Sequence, residues 1–315
     1  MVAIHRGKRR VLWGLATIAI ALGVACGLDA GSIIGVNGAG DDGSVLGDGG
    51  PDDSATGDES NSSFDAGTLP DGALSHRIFA NTSTAIYDFD VDTHVLTRRL
   101  GFAFCGLDGG YDTFDLAVAS TRQVFVLPWK ASGQFWLYAI NADGGCVDVH
   151  GGPGANPGAP DMWAGFQNTG GTDTLFALVQ GQNTLYAYNA AGGYIGQDTN
   201  TLRGTTAKGD IACSSALCYT VVPHDKCDDD PGPGNDCIWS FENDGGSGTQ
   251  VGNIGTDKVV GLAYYAGNLY GFCNDGSIYE ASTTAPSAGA KLTDVSLMDA
   301  GPTALSWIGA GSLPN

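Results

Sequence analysis

The chain has 315 residues, 50 of them glycine, and carries 34 acidic against 14 basic residues for a formal net charge of −20. An acidic excess of that size repels a phosphate backbone and excludes nucleic acid as an expected partner. Abundant glycine, with repeated β-branched and aromatic pairs, suits strands and turns and argues against a helical bundle.

The first 25 residues are unlike the rest. Arg6, Lys8, Arg9 and Arg10 form a basic patch, and Val11 to Ala25 is an uncharged apolar run of 15 residues ending at Cys26. That order is the pattern of a secretory signal peptide. The run falls short of the roughly 20 apolar residues that a helix needs to span a bilayer core, so a transmembrane anchor is the weaker reading. Leu22-Gly23-Val24-Ala25-Cys26 resembles the lipidation signal of bacterial lipoproteins, with the Leu one place further from the cysteine than is usual in that family. The resemblance implies that Cys26 is lipidated and becomes the mature N-terminus. Gly27 in the next position, where an aspartate favours inner-membrane retention, implies the outer membrane. Several acyl chains on one residue would anchor the protein stably to the cell envelope. Removal of residues 1–25 takes four basic residues and leaves 10 against 34 acidic ones, a charge of −24.

Residues 26–74 are expected to hold the lipidated cysteine and a disordered spacer. Gly27 to Ser75 contains ten acidic residues and no Lys or Arg, among Gly, Ser and Ala. That composition buries too little apolar surface to offset the loss of chain entropy. As a flexible coil it would span on the order of 40 Å and hold a globular head clear of the membrane. The alternate ligands and closing Glu of an EF-hand loop are missing from it.

From about residue 75 to 315 a unit recurs. Ile or Leu, then an aromatic, then a short strand ending in an acid or amide occurs at Ile86-Tyr87-Asp88-Phe89-Asp90, Leu137-Tyr138-Ala139-Ile140-Asn141, Leu185-Tyr186-Ala187-Tyr188-Asn189 and Ile238-Trp239-Ser240-Phe241-Glu242. A weaker copy is Ile278-Tyr279-Glu280-Ala281-Ser282, and the aromatic positions are 51, 48, 53 and 40 residues apart. Each copy follows a second strand, such as Val124-Phe125-Val126 or Leu269-Tyr270-Gly271, and four have an apolar first strand ahead, such as Leu116-Ala117-Val118. The first copy lacks one, and Ala304-Leu305-Ser306-Trp307-Ile308 at the far end supplies it. The chain resembles an all-β, five-bladed β-propeller closed by pairing of its N- and C-terminal strands, at roughly 48 residues a blade.

Seven cysteines follow Cys26. Cys213 and Cys218 sit on consecutive strands of one unit, and Cys227 with Cys237 would close the insertion CDDDPGPGNDC. Cys105 with Cys146 is a third expected pair, which leaves Cys273 over. Disulfides suit an exported protein better than a zinc site, since no Cys-x-x-Cys occurs and the histidines are scattered.

Motifs for chemistry are few. There is no nucleophile elbow, phosphate loop or paired-histidine metal motif. Asp88, Asp90 and Asp92 alternate along a strand that a solvated turn would end. Asp115, Asp161 and Asp210 each precede the first apolar residue of an innermost strand in three successive units. A propeller would bring them toward one end of its central channel, either as solvated carboxylates or as a weak calcium site. Five-bladed propellers include glycoside hydrolases with carboxylates at such entrances, but their acid is commonly a Glu, and Glu59, Glu242 and Glu280 stand elsewhere. The expected function is therefore a non-catalytic binding or scaffolding lipoprotein with an unidentified protein or glycan ligand, expected to be monomeric. An extracytoplasmic hydrolase is the alternative.

Overall fold

The computed structural model describes residues 76–101, 111–130, 134–135, 137–140, 145–149, 162–179, 183–199, 201–202, 205–229, 232, 234–242, 248–284, 289–298 and 305–314. Cys26, the acidic spacer, Cys105 and Asp161 lie outside them. The chain divides into Met1–Asp58 and Glu59–Asn315, and every described residue belongs to the second unit.

That unit is a five-bladed β-propeller. Blade 1 holds β1 (Arg77–Thr82), β2 (Ala85–Asp90) and β3 (Val95–Gly101). Blade 2 runs outward through β4 (Tyr111–Val118), β5 (Val124–Lys130), β7 (Tyr138–Ile140) and β8 (Cys146–Asp148), with the short β6 (Gln134–Phe135) beside β5. Blade 3 is β9 (Met162–Thr169), β10 (Thr172–Val179), β11 (Leu185–Asn189) and β12 (Tyr194–Asp198). Blade 4 is β13 (Ile211–Cys213), β14 (Cys218–Val222), β15 (Cys237–Phe241) and β16 (Thr249–Asn253). Blade 5 is β17 (Val259–Tyr265), β18 (Asn268–Cys273), β19 (Ile278–Ser282) and β20 (Ala290–Lys291). The five aromatic repeats are the third strands of the five blades.

Local chemistry explains the hairpins. Gly170 and Gly171 both have positive φ, 59° and 85°, as do Ala266 and Gly267, 49° and 88°. Two successive left-handed residues make the tight turn whose twist matches a right-twisted strand pair. The cores then form between blades, because each strand alternates its side chains between two neighbours. Ile78, Tyr87 and Phe89 of blade 1 meet Tyr270, Phe272 and Ile278 of blade 5. Leu137 and Phe125 of blade 2 meet Phe166, Leu175 and Tyr188 of blade 3.

The C-terminal segment closes the ring at both edges of blade 1. Strand β22 (Trp307–Ser312) pairs antiparallel with β1 on the inside, while β21 (Ser296–Leu297) pairs parallel with β3 on the outside. The sequence places the closing strand at Ala304–Ile308; the observed strand lies further on. Its Gly309-Ala310-Gly311 has turn composition, but a Cβ on Gly309 would collide with Asp115 and Asn81 and one on Gly311 would sit 3.0 Å from Leu116, so glycine is needed at both positions. Trp307 is buried between blades 1 and 5, edge-on to Tyr87 and Phe272 with centroids 5.5 and 5.4 Å away. Its indole N–H donates to the Gly276 carbonyl at 3.1 Å.

Candidate functional site

The innermost strands touch in a closed circuit, β4 to β9, β13, β17, β22 and back to β4. They approach at backbone distance. A Cβ placed on Gly261 would sit 2.7 Å from the Gly309 carbonyl carbon, and one on Gly309 would collide with the carboxylate of Asp115 and the amide oxygen of Asn81. Ala117, Ala164, Ala212, Ala263 and Ala310 on these strands are likewise buried. Along this stretch the innermost strands come within backbone contact of one another.

Asp115 and Asp210 meet there. Asp115, within β4, is 4% exposed, and Asp210, directly before β13, is 0% exposed. They are buried rather than solvated, and their carboxyl groups hydrogen-bond to each other. Asp115 Oδ1 accepts the Leu116 N–H at 2.9 Å, and its Oδ2 accepts the Ala164 N–H of blade 3 at 2.6 Å. Asp210 Oδ1 accepts the Ile211 N–H at 2.7 Å. Its Oδ2 accepts two further donors, Leu262 N–H of blade 5 at 3.1 Å and Ala310 N–H of blade 1 at 3.0 Å.

Burial disfavours charge on both groups. It raises Asp115 to about 7, against which the hydrogen bonds from Asp210, Ala164 and Leu116 work. Burial also raises Asp210 well above the usual carboxylate range, and the charge and hydrogen bond of Asp115 raise it further. A hydrogen bond between two carboxyl groups requires a proton on one of them. The third expected member, Asp161, lies outside the described residues, among which no group of three His, Cys, Asp or Glu could hold a metal ion.

The other expected residues fall elsewhere. Cys213 is bonded to Cys218, tying β13 to β14, and Cys227 to Cys237, closing the insertion. Cys146 is also in a disulfide, with its partner outside the described residues. Cys273 is a free, buried thiol, which burial pushes up to about 11. Asp88 is not part of a solvated acidic face. It is fully buried and pairs with Arg77 at 3.0 Å and with the guanidinium of Arg99, whose Nε donates at 2.6 Å. Asp90 caps the following turn by accepting the Asp92 and Thr93 N–H groups at 3.1 and 3.0 Å.

Sequence reasoning missed that pairing of Asp88 and also a second one at a buried carboxylate. Lys208 Nζ lies 2.7 Å from Asp236, a residue 1% exposed that also accepts the His224 N–H at 3.0 Å. Burial raises the Asp236 carboxyl, while Lys208 works against the rise. Nothing in the 27 residues between the two signals the pairing, which the β14–β15 connection brings about.

No protein-family model and no curated protein matches the chain. Among solved structures it is similar to the Dos1 propeller, at 9% identity and a TM-score of 0.38 over 69% of this chain and 55% of that one. It is similar to U3-55K at 14% identity and a TM-score of 0.39, over 74% and 66% of the two chains. A third likeness is to the glutaminyl cyclase of Myxococcus xanthus, at 12% identity and a TM-score of 0.38, over 65% and 72%. The chain thus spans 55% and 66% of the first two structures. What makes it a five-bladed propeller is its own five sheets and the closure of blade 1 by β21 and β22.

Proposed function

We propose that the chain is an exported lipoprotein, anchored to the cell envelope through Cys26, whose propeller is a non-catalytic binding or scaffolding module. The signal-like residues 1–25, the acidic spacer and the disulfides support export. The observation that carries the non-catalytic reading is the state of Asp115 and Asp210: both are buried, and every carboxyl oxygen accepts a backbone N–H. A glycoside hydrolase needs two carboxyl groups that reach the scissile bond, one of them to protonate the leaving oxygen. Carboxyls buried between strands, with every oxygen engaged, do not offer that reach. The ligand class is a protein or glycan met outside the cell.

Purified protein incubated with a glycan array and with chromogenic glycosides tests the reading. Retention of a glycan class without turnover is the expected result if the ligand is a glycan, and no signal in either assay points to a protein ligand. Release of the chromophore, abolished by Asp115→Asn, would replace this reading with the hydrolase.

A further inference from the structure

We propose that Asp115 and Asp210 share one proton on the propeller axis, and that this proton joins the hydrogen bonds of all five innermost strands into a single pH-dependent clasp. The geometry reaches every blade. Asp115 stands on blade 2 and binds the Ala164 N–H of blade 3; Asp210 enters blade 4 and binds Leu262 N–H of blade 5 and Ala310 N–H of blade 1. The link between these two halves is the hydrogen bond from one carboxyl to the other. Two carboxylates without a proton cannot make that bond. They would repel each other where no water screens them.

Among the described residues, the groups facing the pair supply no compensating charge. From β4, β9, β13, β17 and β22 they are the backbone N–H groups already named and the small residues of those strands; from β1 the neutral amide of Asn81 lies beside Gly309. Among the described residues, the charged group acting on each carboxyl is the other carboxyl.

The pH dependence runs opposite to ordinary acid unfolding. The folded state keeps a proton that a free aspartate releases at a pKa of about 3.9. Both carboxyls are raised, so above that value the folded state binds more protons than the unfolded one: two up to about 7, where Asp115 titrates, and one shared proton beyond it. Stability from the clasp is therefore complete below pH of about 4 and is lost as pH rises through the two folded pKa values. Each proton held in excess corresponds to a fall of about tenfold in the folding constant per pH unit.

Denaturant unfolding of the full chain from pH 4 to 8, for the parent, Asp115→Asn and Asp210→Asn, isolates this slope from the background of the other carboxylates. The expected result is a parent slope steeper than either variant by about one proton. Infrared spectra of the parent, with and without carbon-13 aspartate, keep the proposal testable should a variant fail to fold. A protonated-carboxyl stretch that shifts with the label and persists at pH 8 in the parent is expected. Its absence from the parent at pH 8 would overturn the shared proton, and its unchanged persistence at pH 8 in both variants would show that each carboxyl holds a proton alone. Calcium alone, added against chelator, provides the last arm: a raised melting temperature that needs both aspartates would put a cation where the proton is proposed.

Discussion

Trp307 shows how much one side chain carries in a ring closed without a covalent bond. It is 1% exposed, lies against Tyr87 of blade 1 and Phe272 of blade 5, and satisfies its indole N–H on the Gly276 carbonyl. Aromatic pairs at these edge-on angles add to the area they bury. Trp307→Ala would leave a cavity between the first and last blades and an unpaired carbonyl. A loss of about 3 to 5 kcal/mol is expected, read as a lower denaturant midpoint. Trp307→Phe should recover most of the packing but not the hydrogen bond. If the alanine variant unfolds at the parent midpoint, Trp307 is not what seals that junction.

At the scale of elements, blade 1 is the one built from both ends of the propeller. Its three N-terminal strands lie between β22 inside and β21 outside, so neither edge is left as a free template for pairing. The outer contact is reinforced by the Ser296 N–H on the His94 carbonyl and by His94 Nδ1 at 2.7 Å from the exposed Asp294, which holds that carboxyl below its usual range. Deleting Gly301 to Asn315 removes β22 but leaves β21. It takes away Trp307, the inner partner of β1 and the Ala310 donor to Asp210 together. The truncated chain should therefore melt well below the full one and below Trp307→Ala, with faster amide exchange in β1. An unchanged melting temperature would mean that β22 does not close the ring.

For the whole molecule, the sharpest test is of the proposed anchoring at the cell envelope. The propeller contributes no helix among the described residues that is long and apolar enough to cross a membrane. Anchoring by acyl chains on Cys26 predicts that Cys26→Ser leaves an uncleaved or soluble form, seen by fractionation and by intact mass. A variant that keeps both the membrane fraction and the parent mass would point to a helix spanning the bilayer instead. If residues 1–25 are removed as proposed, the net charge of −24 would keep the protein off anionic surfaces at low salt.

The propeller was legible in the sequence because its information is local. Each strand announces itself by two-residue alternation, each turn by Gly, Asn or Asp, and the recurrence of Ile86-Tyr87, Leu137-Tyr138, Leu185-Tyr186, Ile238-Trp239 and Ile278-Tyr279 sets the number of blades. The pairs Cys213–Cys218 and Cys227–Cys237 were legible for the same reason, being close in sequence and on neighbouring strands. The position of β22 was not, because Gly309-Ala310-Gly311 has turn composition, and only the crowding of five innermost strands makes small residues a requirement there. Nor was the state of Asp115 and Asp210. Spacing alone puts them at matching points of two blades, but nothing local distinguishes a solvated carboxylate from a buried one. That difference is decided by backbone N–H groups of blades 1, 3 and 5, up to 100 residues away in the chain, and by the exclusion of water when the ring closes around them.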